Sequence, residues 1–266
     1  MARQPLRAVD LDRDMTHVIP TGTTRDSEFL FRRMEALTFE ATLRAPGERV
    51  LDSAAGLGQD SRALARSGAR SVCAEPSRRM IELAKLVAAK EPAATPGSVT
   101  WARAWSESLP FRSGSFDAAF CKGALDHFDD PERCIAELAR VTRAGGRVVL
   151  AVANFESLGC RLQRLAERLR WRAPRPGRRT YHVPSDHFTR YDASVLREQV
   201  ERYVAVESVA GTSLFWGVRR WARLLALLPE SWARLLLRGA DRIAARFPSL
   251  ADVIVIAGAP RARDSL

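Results

Sequence analysis

The stretch VLDSAAGLGQDS, residues 50–61, sets an acid, Asp52, after two apolar residues and then runs through small residues to Gly56 and Gly58. Glycines in such a turn let the backbone come close to a ligand, and a helix after it offers free N–H groups to an anion. Glu75 ends the next apolar run. A carboxylate there can accept hydrogen bonds from both hydroxyls of a ribose. Together the two features point to a ligand that contains a nucleoside. The glycines alone do not, because an ordinary tight turn uses them too.

Proton chemistry has few candidates, since the chain holds four histidines. His127 follows an apolar run and is the first candidate for a base, being the side-chain type that titrates nearest neutrality. Its other reading is a brace for the loop DHFDDP. A second group, YHVPSDHFTRY, collects Tyr181, His182, Asp186, His187 and Tyr191. It reads as a substrate-facing wall with His182 or His187 as a base, or as ordinary packing. No CxxC pair and no HExxH spacing occurs, so no metal is assigned. Cys73, Cys121, Cys134 and Cys160 read as free, mostly buried thiols.

The elements that must position these residues follow from periodicity. Residues 26–44 have apolar positions at helical spacing. RVLDSA, SVCAE, VTWARA, FDAAFC and RVVLAVAN read as strands. Helices lie between them: QDSRALARSG stopped by Gly68, SRRMIELAKLVAAK capped by Ser77, and DPERCIAELARVTR with Pro131 in its first turn. This alternation predicts an α/β chain with a doubly wound, mostly parallel sheet. Further on, 156–172 reads as an Arg-rich helix and APRPGRR as a linker. DASVLREQVER is a helix capped by Asp192, and 216–247 two helices broken at Pro229. YVAVESVAGTS and DVIVIAGA complete seven strands. The expected organisation is a cap segment and helix over 1–45, a binding core over 46–155, and lid helices with the last two strands over 156–266.

The block 108–152, with LPF, GSFD, LDHFDDP and ELARVTRAGGRVVL, resembles the class I S-adenosylmethionine-dependent methyltransferases. VLDSAAGLG and AEPSRRMIELAK extend the likeness over 46–155 in the same order. The resemblance implies a Rossmann-like fold, S-adenosylmethionine as cofactor and S-adenosylhomocysteine as product. It implies that Asp52 and the turn from Ala54 through Gly56 to Gly58 hold the methionine end. Glu75 would hold the ribose, and Pro76 and Met80 would border the adenine. Trp105, Ser106 and Glu107 would complete the adenine pocket, and Cys121 and Lys122 would flank the sulfonium and the acceptor. Two positions depart from the family. Ala54 stands where glycine is usual, and its methyl group is accommodated if φ there is negative. Trp105 stands where an acid often accepts from the adenine amino group, which an indole N–H cannot do.

A formal charge of +11, carried almost wholly by arginine, suits nucleic acid, anionic lipid or acidic substrates, or reflects only Arg in place of Lys. Base-methylating enzymes carry an Asn/Asp-Pro-Pro-aromatic run or a Pro-Cys nucleophile. Here the first place reads CKGALDH, and Pro-Cys is absent. Nucleic acid is therefore disfavoured, and a small, apolar or lipid-like acceptor is expected. The alternative is a weak or inactive methyltransferase-fold protein that serves as a cofactor-binding or partner subunit. In the late helices Trp232, Leu235, Leu236, Gly239, Ala240, Ile243 and Phe247 share a face, and Arg234, Arg238, Arg242 and Arg246 another. One reading is helices that pack on the sheet and leave a solvated Arg face; the others are a lid, a dimer contact or a peripheral membrane contact. The acceptor pocket is expected to be roofed by 156–191 and 216–247, each with its apolar face inward. No signal peptide or membrane span is read, so the expected location is the cytoplasm. The oligomeric state is not legible.

Overall fold

Strands β1 (Arg49–Ser53), β2 (Arg70–Ala74), β3 (Ser98–Ala102), β4 (Phe116–Lys122), β5 (Thr142–Ala153), β6 (Val204–Thr212) and β7 (Val253–Pro260) form one sheet. The order is β3–β2–β1–β4–β5–β7–β6. The computed structural model describes residues 23–90, 97–169 and 189–262. Neighbours from β3 to β5 pair in parallel, while β7 runs antiparallel to both β5 and β6. The expected seven-stranded, mostly parallel sheet is therefore what the chain forms.

Its central strands are apolar throughout because both faces are covered. Alternation along β4 and β5 sends Ala119, Cys121, Val148 and Leu150 to one face, where α4 (Pro131–Val141) and α6 (Ala193–Glu201) pack with Ile135, Leu138, Leu196 and Val200. Ala118, Phe120, Val149 and Ala151 face the other way. There they meet Leu30 and Met34 of α1 (Arg25–Thr42) and Leu64 of α2 (Gln59–Arg66). Each fully buried Leu or Phe contributes about 1.5–3 kcal/mol relative to exposure.

The caps expected at Ser77 and Asp192 are made, and Asp130 adds one that the sequence reading did not name. Ser77 Oγ accepts from the Met80 amide at 3.2 Å at the start of α3 (Arg78–Ala88). Asp130 accepts from the Arg133 amide at 3.0 Å ahead of Pro131. Asp192 Oδ1 accepts from the amides of Ser194 and Val195 at 2.8 and 3.0 Å. Each such cap is worth about 1 kcal/mol. One boundary differs from the sequence reading. The helix before AGG ends at Val141, and β5 already begins at Thr142. Gly146 can join that strand because a Cβ there would lie 2.6 Å from the Asp117 carbonyl oxygen.

The segment 156–172 contains α5 (Leu158–Leu169), and 216–247 splits at Pro229 into α7 (Arg219–Leu227) and α8 (Glu230–Arg246). The expected orientation of α8 is corrected. The side chains it turns inward are Ala233, Leu237, Ala240 and Ala244, a narrow stripe that lets the helix lie close to its neighbours. Trp232, Leu235, Leu236, Ile243 and Phe247 are exposed instead. Asp241 fastens α8 by accepting from Arg33 Nε at 3.0 Å, Thr212 Oγ1 at 2.7 Å and the Ser213 amide at 3.2 Å. Arg25, at the start of α1, donates to the carbonyls of Leu225 and Leu228 that end α7.

Candidate active site

The turn after β1 is left-handed at three places. Ala54, Gly56 and Gly58 have φ of 59°, 55° and 67°. The expectation of a negative φ at Ala54 is thus overturned: this alanine holds a conformation that glycine adopts without cost and that charges another residue about 1–2 kcal/mol. Gly58 needs its missing side chain twice, for its φ and because a Cβ would lie 2.7 Å from the Trp101 ring. Around Gly56 a Cβ would meet nothing within 4 Å, so the turn opens onto free space there.

Glu75 faces this turn from the end of β2. Its Oε2 accepts from the Gly56 amide at 2.9 Å and its Oε1 from the Ser77 amide at 3.0 Å. The two bonds fix the carboxylate while leaving lone pairs on both oxygens. Burial raises its pKa above the ordinary carboxylate value, with the two amides opposing.

Asp52 is buried at the end of β1 and accepts from Ser61 Oγ at 2.9 Å. Its pKa lies well above the ordinary value, first through burial and then through the charge of Asp60. Lys122, at the end of β4, reaches Asp60 Oδ1 at 2.5 Å. Asp52 at the end of β1 thus has two acidic neighbours, Asp60 in the first turn of α2 and Glu75 after β2, while the Lys122 ammonium is held by Asp60. Such a site is short of positive charge and suits a ligand that brings cationic groups.

The loop after β3 completes the wall. Ser106 is buried, and its hydroxyl lies 2.8 Å from that of Ser53 at the end of β1. Glu107 is buried too, and its Oε2 has no hydrogen-bond partner among the described residues. Burial raises its pKa, with Asp129 and Asp130 adding to the shift. An orphaned carboxylate oxygen calls for a donor from outside the chain. It stands two residues from Trp105, whose ring is 37% exposed and turned to the surface. Pro76 is half-buried, and Met80 lies buried in the first turn of α3.

The Cys121 thiol is free and buried, as expected of the cysteines, and is enclosed with Cys134 in the core beneath α4, on the face opposite Phe120. One further expectation is corrected. Tyr191 is not part of a substrate wall, because its ring is fully buried and its hydroxyl donates to Gln199 Oε1 at 2.8 Å. Tyr181, His182, Asp186 and His187 lie outside the described residues. His127 ends a short 3-10 turn (Leu125–His127) just beyond β4, half-buried beside the buried Asp126. No group of three or more His, Cys, Asp or Glu suited to a metal occurs among the described residues. The sequence reading missed Ser53, Asp60, Ser61 and Trp101. Asp60 and Ser61 carried a signal, as polar residues in the first turn of a helix that begins at a ligand-binding loop. The pairing of Ser53 with Ser106 did not, because it depends on strands being brought side by side.

A seven-stranded sheet with an open glycine turn after β1 and a carboxylate after β2 defines a nucleotide-type binding fold. Comparison with known proteins narrows it. Residues 51–150 match the family described as a methyltransferase domain. The chain is 30% identical over 179 residues to the demethylmenaquinone methyltransferase of Mycolicibacterium paratuberculosis, a match covering 67% of this chain and 72% of that protein. It is 32% identical over 128 residues to the enzyme of the same name from Renibacterium salmoninarum, across 48% of this chain and 51% of that one. The chain spans about half the length of the first curated relatives it matches. Among solved structures, magnesium protoporphyrin IX methyltransferase from Synechocystis, with bound S-adenosylhomocysteine, superposes with a TM-score of 0.58 at 16% identity, covering 89% of this chain and 85% of that one. The chain belongs to the class I S-adenosylmethionine-dependent methyltransferases.

Proposed function

We propose that this protein binds S-adenosylmethionine in the turn after β1 and transfers its methyl group to a small, apolar or lipid-like metabolite. The observation that carries the reading is Glu75, held by the amides of Gly56 and Ser77 at the rim of the free space beside Gly56. Its free lone pairs suit the two ribose hydroxyls. The acidic set Asp52, Asp60 and Glu75 suits a ligand with an ammonium and a sulfonium, and the unpartnered Glu107 Oε2 suits the adenine amino group in place of the acid that Trp105 replaces. When bound, the cofactor supplies an already activated methyl group. What remains for the chain is to align an acceptor, exclude water and take up a proton where the acceptor is neutral. His127 is the candidate for that proton among the described residues, with His182 and His187 beside it in the sequence reading.

The relatives named demethylmenaquinone methyltransferases make a demethylmenaquinone-type acceptor the first to test. Titration calorimetry with S-adenosylhomocysteine should give binding that Glu75→Ala weakens by about tenfold or more, since each charge-assisted hydrogen bond is worth about 1.5–3 kcal/mol. Labelled methyl should then appear on a demethylmenaquinone analogue. Unchanged affinity in Glu75→Ala would remove the ribose assignment. Binding without turnover on any apolar acceptor would favour a cofactor-binding partner subunit.

A further inference from the structure

From the outer surface of α7 and α8 we infer that this pair is a docking face for the surface of an anionic lipid bilayer. The segment 219–247 carries seven arginines against two acids. One acid, Asp241, is consumed inside the fold by Arg33, Thr212 and Ser213, and the other, Glu230, by Arg234 at 2.8 Å. Arg219, Arg220, Arg223, Arg238 and Arg242 make no ion pair among the described residues. Charge left uncompensated on one surface is complementary to a negatively charged one.

The large apolar side chains decide which negatively charged surface. On α8, Trp232, Leu235, Ile243 and Phe247 project outward, Trp232 being 60% exposed. On α7, Leu227 is 85% exposed and Leu224 stands beside it in the sequence of outward positions. The helix has spent its alanines on packing and presented its bulky residues to water, the reverse of what burial alone would select. Bulky apolar groups next to unpaired arginines are the composition of a helix that lies in a bilayer interface, with arginine stems along the acyl boundary and their heads at the lipid phosphates. Duplex nucleic acid would answer the arginines and leave the apolar residues unserved. Between α1 and α8 lies a groove of about 760 Å³ that includes Arg32, Arg238 and Arg242 and none of the cofactor-turn residues. Its acids Glu28, Glu230 and Asp241 pair with Arg32, Arg234 and Arg33, which leaves Arg238 and Arg242 as cations there without an ion pair among the described residues.

Topology aims this face. β6 runs antiparallel to β7, which runs antiparallel to β5, so β6 points the same way as β1. The insertion that leaves the end of β6 therefore rises from the same edge of the sheet as the turn after β1. The helices that would meet a bilayer are thus anchored at the same sheet edge as the turn after β1. The inference does not depend on the acceptor, because docking is measured without cofactor or turnover.

The test is co-sedimentation of the full chain with vesicles of phosphatidylcholine alone and of phosphatidylcholine with phosphatidylglycerol. Partition should be about tenfold or more stronger onto the anionic vesicles and should weaken with salt. Trp232→Ser with Phe247→Ser, and separately Arg238→Gln with Arg242→Gln, should each lose most of it while keeping the parent's melting curve. Brominated acyl chains should quench tryptophan emission in the parent more than in Trp232→Phe, a variant mild enough to fold whatever becomes of the double ones. No partition, equal partition onto neutral vesicles, or variants that bind like the parent would overturn the inference. So would a dimer in sedimentation equilibrium that Trp232→Ser with Phe247→Ser converts to monomer, or binding to duplex DNA in place of vesicles.

Discussion

Ala54 and Glu75 show how much a single position decides at the site. The alanine takes a left-handed φ of 59° ahead of two glycines that do the same, because Ala55 donates its amide to the Ala74 carbonyl and Gly58 donates to Ala55, which fixes the course of the turn. Replacing Ala54 by glycine should therefore raise the stability of the free protein by about 1 kcal/mol, a gain of roughly 2–4 °C in melting temperature for a chain of this size. Affinity for S-adenosylhomocysteine should change little, since Gly56 and Glu75 stay in place. A large gain in affinity would mean that the native turn is damaged and would favour a non-catalytic role. The identity of the residue was plain from the sequence, but its φ was not: the sequence reading made competence depend on a negative angle, and the neighbouring hydrogen bonds impose a positive one.

Elements are joined here by a few buried polar side chains. Asp241 of α8 accepts from α1 through Arg33 and from the end of β6 through Thr212 and the Ser213 amide. Asp241→Ala strands a buried amide and two side-chain donors, and should cost about 2–4 kcal/mol in chemical denaturation. Asp241→Asn, which keeps an acceptor, should cost less. Equal, negligible effects from both would mean that α8 is held by its alanine stripe alone. The existence of α8 and its break from α7 at Pro229 were legible because periodicity and proline act locally. Which of its two apolar stripes turns inward was not. Helical spacing marks both, and only the shape of the partner surface selects the small residues.

For the molecule as a whole, the ends of β5, β6 and β7 meet around a buried acid that should govern how stability varies with pH. Asp252 accepts from the Trp216 amide at 2.8 Å, and burial pushes its carboxyl up to about 7 from an ordinary value of 3.8. The folded chain therefore holds this proton more tightly than the unfolded chain. The stability so contributed is complete below 3.8 and is lost as the pH rises to about 7, at about 1.4 kcal/mol for each pKa unit between the two states. Asp252→Asn should melt higher than the parent at about pH 8, and the difference should shrink as the pH falls toward 4. A difference that stays constant with pH would show that Asp252 does not titrate in this range. By itself the sequence determined the order and type of the elements, the helix caps, the turn after β1 and the acid after β2, because these are set by neighbours within a few residues. The family likeness followed from the same local motifs. Only the tertiary structure decided that Tyr191 belongs to the core, that Asp60 and Lys122 meet, that Ser53 meets Ser106, and that the bulky face of α8 looks outward. Those outcomes depend on which strands lie side by side and on which face a neighbour covers, and contacts between residues tens of positions apart leave no local periodicity to read.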